Sequence, residues 1–336
     1  MRQVTLLAVA VAATAFGLRA QTFLPPVPTP AGNPTTPAKA LLGKALFWDE
    51  QLSSSRTMAC GTCHIFGHGG AGPLAVGATH PGPDGVMGTP DDIHGSFGVV
   101  RQDAAGANVG SPTFGVRPQS TGRRAPPAIN AAYEAELFWD GRATNAFTDP
   151  VSGLVTLPAD AALESQASGP PVSDVEMSHI GRTWTDIATD IQNRTPLAFA
   201  DQIPANLSAF IAGQTYATLF QSVYGSPGVT PERIIFAIGA YERTLIADQT
   251  PVDFYLQGLG TLTAQETAGL GVFFNLCSTC HSDVLQQTGA ANDFRNLGVR
   301  PNGEDLGRFN VTFVNADKGR FKVPSLRNVE LRPPYF

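Results

Sequence analysis

Four cysteines make up the thiol inventory of this 336-residue chain, and all fall in two short motifs. Cys60-Gly-Thr-Cys63-His64 and Cys277-Ser-Thr-Cys280-His281 each place a histidine directly after a Cys-x-x-Cys pair. A disulfide within either pair would close a tiny loop and remove little unfolded-chain entropy. A thioredoxin-like redox pair needs a βαβ context, which the flanking sequence lacks. Zinc could use two Cys and a His, but each His abuts its own Cys, an awkward start for a tetrahedral shell. Covalent haem attachment accounts for every position: two thiols add to two vinyl groups and the adjacent imidazole reaches the iron. Two c-type haems are therefore expected. Cys60 and Cys63 hold the first, with His64 as proximal ligand; Cys277 and Cys280 hold the second, with His281.

The rest of the chain must carry those motifs to a compartment where they can be used. Arg2, the apolar run from Val4 to Phe16 and a small-residue end at Ala20 have the layout of a secretory signal, too short for a membrane span. The rival reading, an uncleaved anchor, sits poorly with the Pro-rich segment that follows. No later stretch is long and apolar enough to cross a bilayer, so an exported, periplasmic protein is expected. Without Arg2 and Arg19, the net charge moves from -6 to -8. With no basic stripe, nucleic acid and anionic membrane are poor partners.

The elements expected to position the motifs are mostly helical. Thr36-Pro37 starts a helix with apolar residues at 38, 41, 42, 45 and 46. Gly and Pro cluster between residues 67 and 127, which should be loop. Trp184, Ile187, Ala188 and Ile191 share one helical face. A helix over 208–224 should stop at Gly225. Thr230-Pro231 starts another, aligning Ile234, Ile238, Tyr241 and Leu245, and a Thr263–Glu266 capping box leads into Cys277. The expected fold is mainly α, two cytochrome c-like haem domains with long ordered loops. The expected division is a signal peptide (1–20), a Pro-rich linker (21–36), an N-terminal haem domain (37–228) and a C-terminal haem domain (229–336).

Longer motifs say more. "LGKALFWDEQLSSSRTMACGTCH", "RAPPAINAAYEAELFWDGRA", "LESQASGPPVSDVEM", "AIGAYERTLIADQTPVDFYLQG", "GLGVFFNLCSTCH" and "GRFKVPSLRNVELRPPY" occur in that order. Together they resemble the bacterial dihaem cytochrome c peroxidases, whose superfamily includes the methylamine dehydrogenase maturation enzymes. The resemblance implies a peroxidatic haem in the N-terminal domain and an electron-transfer haem in the C-terminal domain. By motif, Trp139 matches the tryptophan between the haems, Glu176 the distal glutamate and Gln166 the glutamine beside it. Taken alone, Trp139 would equally read as a core aromatic, and Glu176 or Gln166 as solvated surface. Splitting a peroxide O–O bond requires moving a proton from one oxygen to the other. A carboxylate within reach can take and return it, and an amide can orient the peroxide. The implied partners are hydrogen peroxide and a small periplasmic donor, a cytochrome c or cupredoxin. Dimerisation is a further family expectation.

Three departures from the family pattern bear on the site. Its relatives often hold the resting peroxidatic haem with a distal His on the loop after the first motif. Here that loop carries His68, His80 and His94, with Met87 nearby and His179 farther on. His94, deepest in the inserted loop, is the candidate iron ligand, against the plainer reading of a solvated or structural side chain for each. A calcium ion usually bridges the family's domains through an Asn in the "RNAP" motif and carbonyls near a terminal "APY". Arg124 stands at that Asn, which argues against calcium. Asp84, Asp91 and Asp92 could make a separate oxygen-ligand loop, or simply a solvated acidic turn. Finally, no His or Met of the C-terminal domain remains to be the sixth ligand of the second haem, so a C-terminally truncated fragment is expected. The alternative is a five-coordinate or unusually ligated haem. The functions in play are a peroxidase, a maturation-type oxidase of a protein or organic substrate, and a dihaem electron carrier.

Overall fold

The computed structural model describes residues 24–336 apart from 73–78, 83, 90, 282–292, 300, 302, 334 and 336. The expected signal peptide, 1–20, lies outside the described residues. Among these the chain is mainly helical. Helix α1 (Pro37–Trp48) begins where Thr36 accepts the Lys39 N–H with its side chain and proline takes the first position. Helix α2 is the single turn Cys60–Cys63. The glycine-rich region forms short antiparallel ribbons: β1 (Thr79–His80) with β2 (Ile93–His94), and β3 (Phe97–Val100) with β4 (Pro118–Ser120). A third ribbon pairs β5 (Phe147–Thr148) with β6 (Val155–Leu157).

Five helices then follow: α3 (Ala162–Ala167), α4 (Trp184–Ile191), α5 (Ala205–Ile211), α6 (Tyr216–Tyr224) and α7 (Pro231–Glu242). The apolar face expected on α4 is the buried one: Trp184, Ile187, Ala188 and Ile191 all point inward. The single helix expected over 208–224 is two. Ala212 turns left-handed (φ 45°) as its N–H closes onto the Ser208 carbonyl, Gly213 follows at φ 72°, and Thr215 caps a new helix. Breaking there lets both pieces bury their apolar sides, Leu207 and Ile211 on one, Tyr216, Leu219 and Phe220 on the other. Gly225 ends α6 at φ 78°, as its position predicts.

Helices α1, α4, α6 and α7 share one core built from Leu42, Leu46, Ile187, Phe220, Ile234 and Ile238. At the α1–α7 crossing, Gly43 faces the Ala237 carbonyl so closely that a β-carbon has no room; it would also lie 2.9 Å from the Tyr241 Cβ. Helix α7, which lies beyond the expected boundary at 228/229, carries its apolar face back onto α1 and shares this core.

The Pro-rich stretch is anchored to the helices at Asn33. Asn33 is fully buried, donating to Glu164 Oε1 (2.7 Å) and the Phe236 carbonyl (3.0 Å). The buried Lys39 amine donates to Asn33 Oδ1 and the Pro34 carbonyl, both at 2.8 Å. Burial lowers that amine's pKa while Glu164 pulls it up. Glu164 also takes a bidentate pair from Arg243, at 2.6 and 2.8 Å.

The remainder comprises α8 (Pro251–Leu256), α9 (Ala264–Val272) and a π turn at Phe273–Cys277. It closes with β7 (Phe294–Arg295), α10 (Phe309–Thr312) and β8 (Phe321–Lys322), the two strands pairing. α9 has the capping box read from Thr263 and Glu266. Ion pairs tie this region back to the first: Arg123 to Asp305, Arg308 to Glu136 and Lys322 to Glu134, at 2.7–2.9 Å, while Arg327 to Asp253 braces it internally.

Candidate active site

A cavity of about 1570 Å³ lies where these regions meet, larger than the ~300–1,000 Å³ of an ordinary small-molecule cleft. Its walls include Cys60, Cys63 and His64 from the first motif, and Cys280 and His281 from the second. Trp139, Gln166 and Glu176 face the same space. The residues singled out in the sequence, separated by more than two hundred positions, thus converge on one chamber.

The first motif is held with its ligating groups prepared. The single turn of α2 puts Cys60 and Cys63 one turn apart, and His64 caps it through its N–H to the Cys60 carbonyl. No disulfide joins any of the four cysteines. His64 Nδ1 lies 3.0 Å from the Gly70 carbonyl. A carbonyl only accepts, so Nδ1 carries the proton and Nε2 the lone pair, the tautomer a metal ligand needs. Burial lowers the imidazole pKa, opposed by the Gly70 and Pro126 carbonyls, which favours the neutral ring. Burial also pushes both Cys60 and Cys63 thiols up, Cys63 to about 12. Two thiols one helical turn apart beside a neutral, oriented imidazole are the set that a c-type haem needs. These residues fit a haem.

Glu176 sits at the chamber wall because β3 passes directly beneath it. The Val99 N–H donates to the Val175 carbonyl at 3.2 Å, and a β-carbon on Gly98 would meet that carbonyl and come within 2.8 Å of the Glu176 Cα. Desolvation raises the Glu176 pKa, while Arg142 and the Ser173 hydroxyl pull it down. Arg142 stacks on Phe138, 3.5 Å from the ring centroid, and pairs with Asp140. A smaller hollow of about 550 Å³ adjoins the chamber and shares Glu176, Arg142, Phe138, Thr121 and Pro170 with it. Gln166 stands on α3, which the Glu164–Arg243 pair anchors. Trp139 is tied at both ends: its indole donates to the Arg124 carbonyl (2.8 Å) and its own carbonyl accepts the Lys322 N–H (2.8 Å).

Sequence reasoning missed Glu242, which is buried on the chamber wall. Its pKa is pushed to about 8 by desolvation and then Glu164, against the pull of Arg243, and one carboxylate oxygen has no hydrogen bond. The "YER" triplet offers no local sign of this, since only the α7 crossing buries it. Among the candidate distal ligands, exposed His94 lies on the chamber's rim with Asp92 and Ile93. His68 and His179 are not among the wall residues; His179 meets the Ile180 carbonyl at 2.9 Å. Calcium does not fit at Arg124. That guanidinium donates to the Gly72 carbonyl and, at 2.6 Å, to the Arg332 carbonyl within the terminal motif. A fixed cation already takes the carbonyls. In the acidic turn, Asp84, Asp91 and Asp92 instead accept neighbouring backbone N–H groups.

Comparison with known proteins decides the kinship. The di-haem cytochrome c peroxidase family profile matches residues 37–261. The chain belongs to that family. Cytochrome c peroxidase Ccp of Escherichia coli is 32% identical over 321 residues, covering 93% of this chain and 52% of that protein. The chain therefore spans about half the length of that relative. Cytochrome c551 peroxidase of Pseudomonas aeruginosa is 29% identical, covering 91% of this chain and 69% of its own length. Methylamine utilization protein MauG of Methylorubrum extorquens is 28% identical, covering 92% and 67%. In fold, the chain is similar to a MauG-like protein associated with microbial copper homeostasis (TM-score 0.60, 24% identity, 96% of this chain and 78% of that one). The family is a di-haem one, and no described helix is long and apolar enough to cross a membrane.

Proposed function

We propose that the protein is a periplasmic di-haem peroxidase that reduces hydrogen peroxide to two waters, drawing two electrons from a small cytochrome c or cupredoxin and two protons from solvent. One observation carries the reading: Glu176, Gln166 and Trp139 line the same chamber as both Cys-x-x-Cys-His motifs. A haem on Cys60 and Cys63 with His64 behind its iron would supply the electron chemistry that breaks the O–O bond. The second, on Cys277 and Cys280 with His281, would supply charge.

The remaining work belongs to side chains. Glu176 takes the proton from one peroxide oxygen and returns it to the other, so that water can leave. Its raised pKa suits a group that must both accept and donate. Gln166 donates an amide hydrogen to orient the peroxide. The hollow beside Glu176 and Arg142 is wide enough to admit a small oxidant. Trp139 divides the gap between the motifs.

Glu176→Gln tests the assignment. Peroxide turnover with a reduced cytochrome donor should fall by about 10²–10⁴, the usual worth of a positioned acid–base group, with haem content unchanged. In the unaltered protein, the acid limb of kcat/KM should lie above pH 4.5, because the ionised form accepts the proton and its pKa is raised. Retained turnover would remove Glu176 from the reaction. MauG matches about as well as the peroxidase of Pseudomonas aeruginosa. A maturation-type oxidase is thus the second reading, favoured if peroxide is consumed only when an organic or protein reductant is supplied.

A further inference from the structure

The arginines that wall the chamber are of two kinds. Arg123 and Arg295 each meet a carboxylate at 2.7 Å, and Arg142 meets one at 3.1 Å. Arg124 and Arg332, which also wall the chamber, pair with no carboxylate among the described residues. Arg124 spends Nε and Nη1 on the Gly72 and Arg332 carbonyls, while its buried Nη2 makes no hydrogen bond. Arg332, only 5% exposed, gives Nη2 to the Ser325 (2.6 Å) and Arg327 (2.9 Å) carbonyls and Nε to that of Asn328 (3.3 Å), with the Tyr335 hydroxyl beside it. The chamber's own Asp140 and Asp305 are occupied by Arg123.

Both arginines touch one short loop, residues 69–72, Arg124 through its guanidinium and Arg332 through its aliphatic stem. The Gly70 carbonyl orients His64, the Gly72 carbonyl holds Arg124, and Arg332 packs so closely on Gly69 that a β-carbon there would lie 3.3 Å from its Cγ. Two neighbouring cations withdrawn from water without an anion are costly, and each feels the cost as a lowered pKa. An anionic group in the chamber, beside the proximal histidine's anchor, would offset it.

We propose that Arg124 and Arg332 form a carboxylate-binding site for a propionate of the haem held at Cys60, Cys63 and His64. Side-chain cations thereby take the charge-balancing place that a bound metal cation would otherwise fill. The inference rests on the haem reading above. Planar guanidinium donors suit a carboxylate, and Nη2 of Arg124 is the donor left over.

The test uses the holoprotein and begins with haem content by the pyridine haemochrome assay. Chains lacking haem would sink the underlying reading along with this one. With both haems present, Arg124→Gln should lower the midpoint potential of the N-terminal haem, because removing a nearby positive charge disfavours the reduced iron. It should also shift that haem's propionate bending mode in the resonance Raman spectrum. Arg124→Lys should restore the potential in part and the bidentate vibrational signature not at all. Arg117→Gln, on an exposed arginine away from the chamber wall, should change neither. Unchanged potential and mode in a loaded Arg124→Gln protein would overturn the proposal. So would a wild-type spectrum with both propionates of that haem at the frequency of free carboxylates, a reading that needs no variant.

Discussion

The two Cys-x-x-Cys-His motifs look alike as sequence and sit in opposite surroundings. The first lies against a packed core. Phe47 and Leu46 are inaccessible beside it, and its histidine ring lies 6.2 Å from the Phe47 ring. The second ends a helix, α9, none of whose residues is buried, and Phe274 and Leu276 just before Cys277 are exposed. Elsewhere in 251–335 Phe313, Leu297 and Leu259 also face solvent, and among the described residues the pairs Arg123–Asp305, Arg308–Glu136 and Lys322–Glu134 join this region to the first. The polypeptide alone builds the first site. Among the described residues the second has the attachment chemistry with fewer buried apolar neighbours, so a bound porphyrin would contribute a larger share of its order.

That contrast can be broken outright. Cys277→Ala with Cys280→Ala should leave one haem by mass and make the 251–335 region the first place a protease cuts. Cys60→Ala with Cys63→Ala should leave the α1–α7 core protected even after its haem is lost. Equal proteolytic patterns from the two variants would refute the asymmetry. Next in size, Gly43→Ala should cost about 3 kcal/mol by overpacking the α1–α7 crossing, read as a lowered unfolding midpoint in denaturant. Its effect should fall on the first region, with hydrogen exchange on α9 unchanged.

A pH measurement sharpens the same point. Glu242 titrates near 8 in the fold against an ordinary 4.5, so between those values the folded chain holds a proton that the unfolded chain has lost. Stability should therefore fall as pH rises from about 4.5 to 8, and Glu242→Gln should flatten that slope. The smallest effect belongs to the seam. Asp305 is 39% exposed, so the coupling between Arg123 and Asp305 should be only about 1 kcal/mol, screened further by salt, in a double-mutant cycle of Arg123→Gln with Asp305→Asn.

Much of this was legible in the chain because the physics was local. Thr36-Pro37, Thr230-Pro231 and Thr263–Glu266 mark helix starts that their own side chains cap. The motif cysteines and histidines, with Glu176, Gln166 and Trp139, were named by spacing or resemblance, and the fold brings all of them but Cys277 to the wall of one chamber. What stayed hidden depends on distant partners. The burial of Asn33 is set by Glu164 and Phe236, 131 and 203 positions away. The membership of α7 in the first core depends on Gly43, and the role of Arg124 on a carbonyl at 332. Gln214 and its neighbours gave no periodic cue that a helix would break at Ala212, since either continuation keeps apolar residues inward.

The tethering of Trp139 has one more consequence. With its ring nitrogen fastened to the Arg124 carbonyl and its own carbonyl to the Lys322 amide, the indole cannot swing. If charge crosses the chamber through this ring, the crossing is a fixed bridge rather than a drawbridge, and any on–off control must be exercised at the banks.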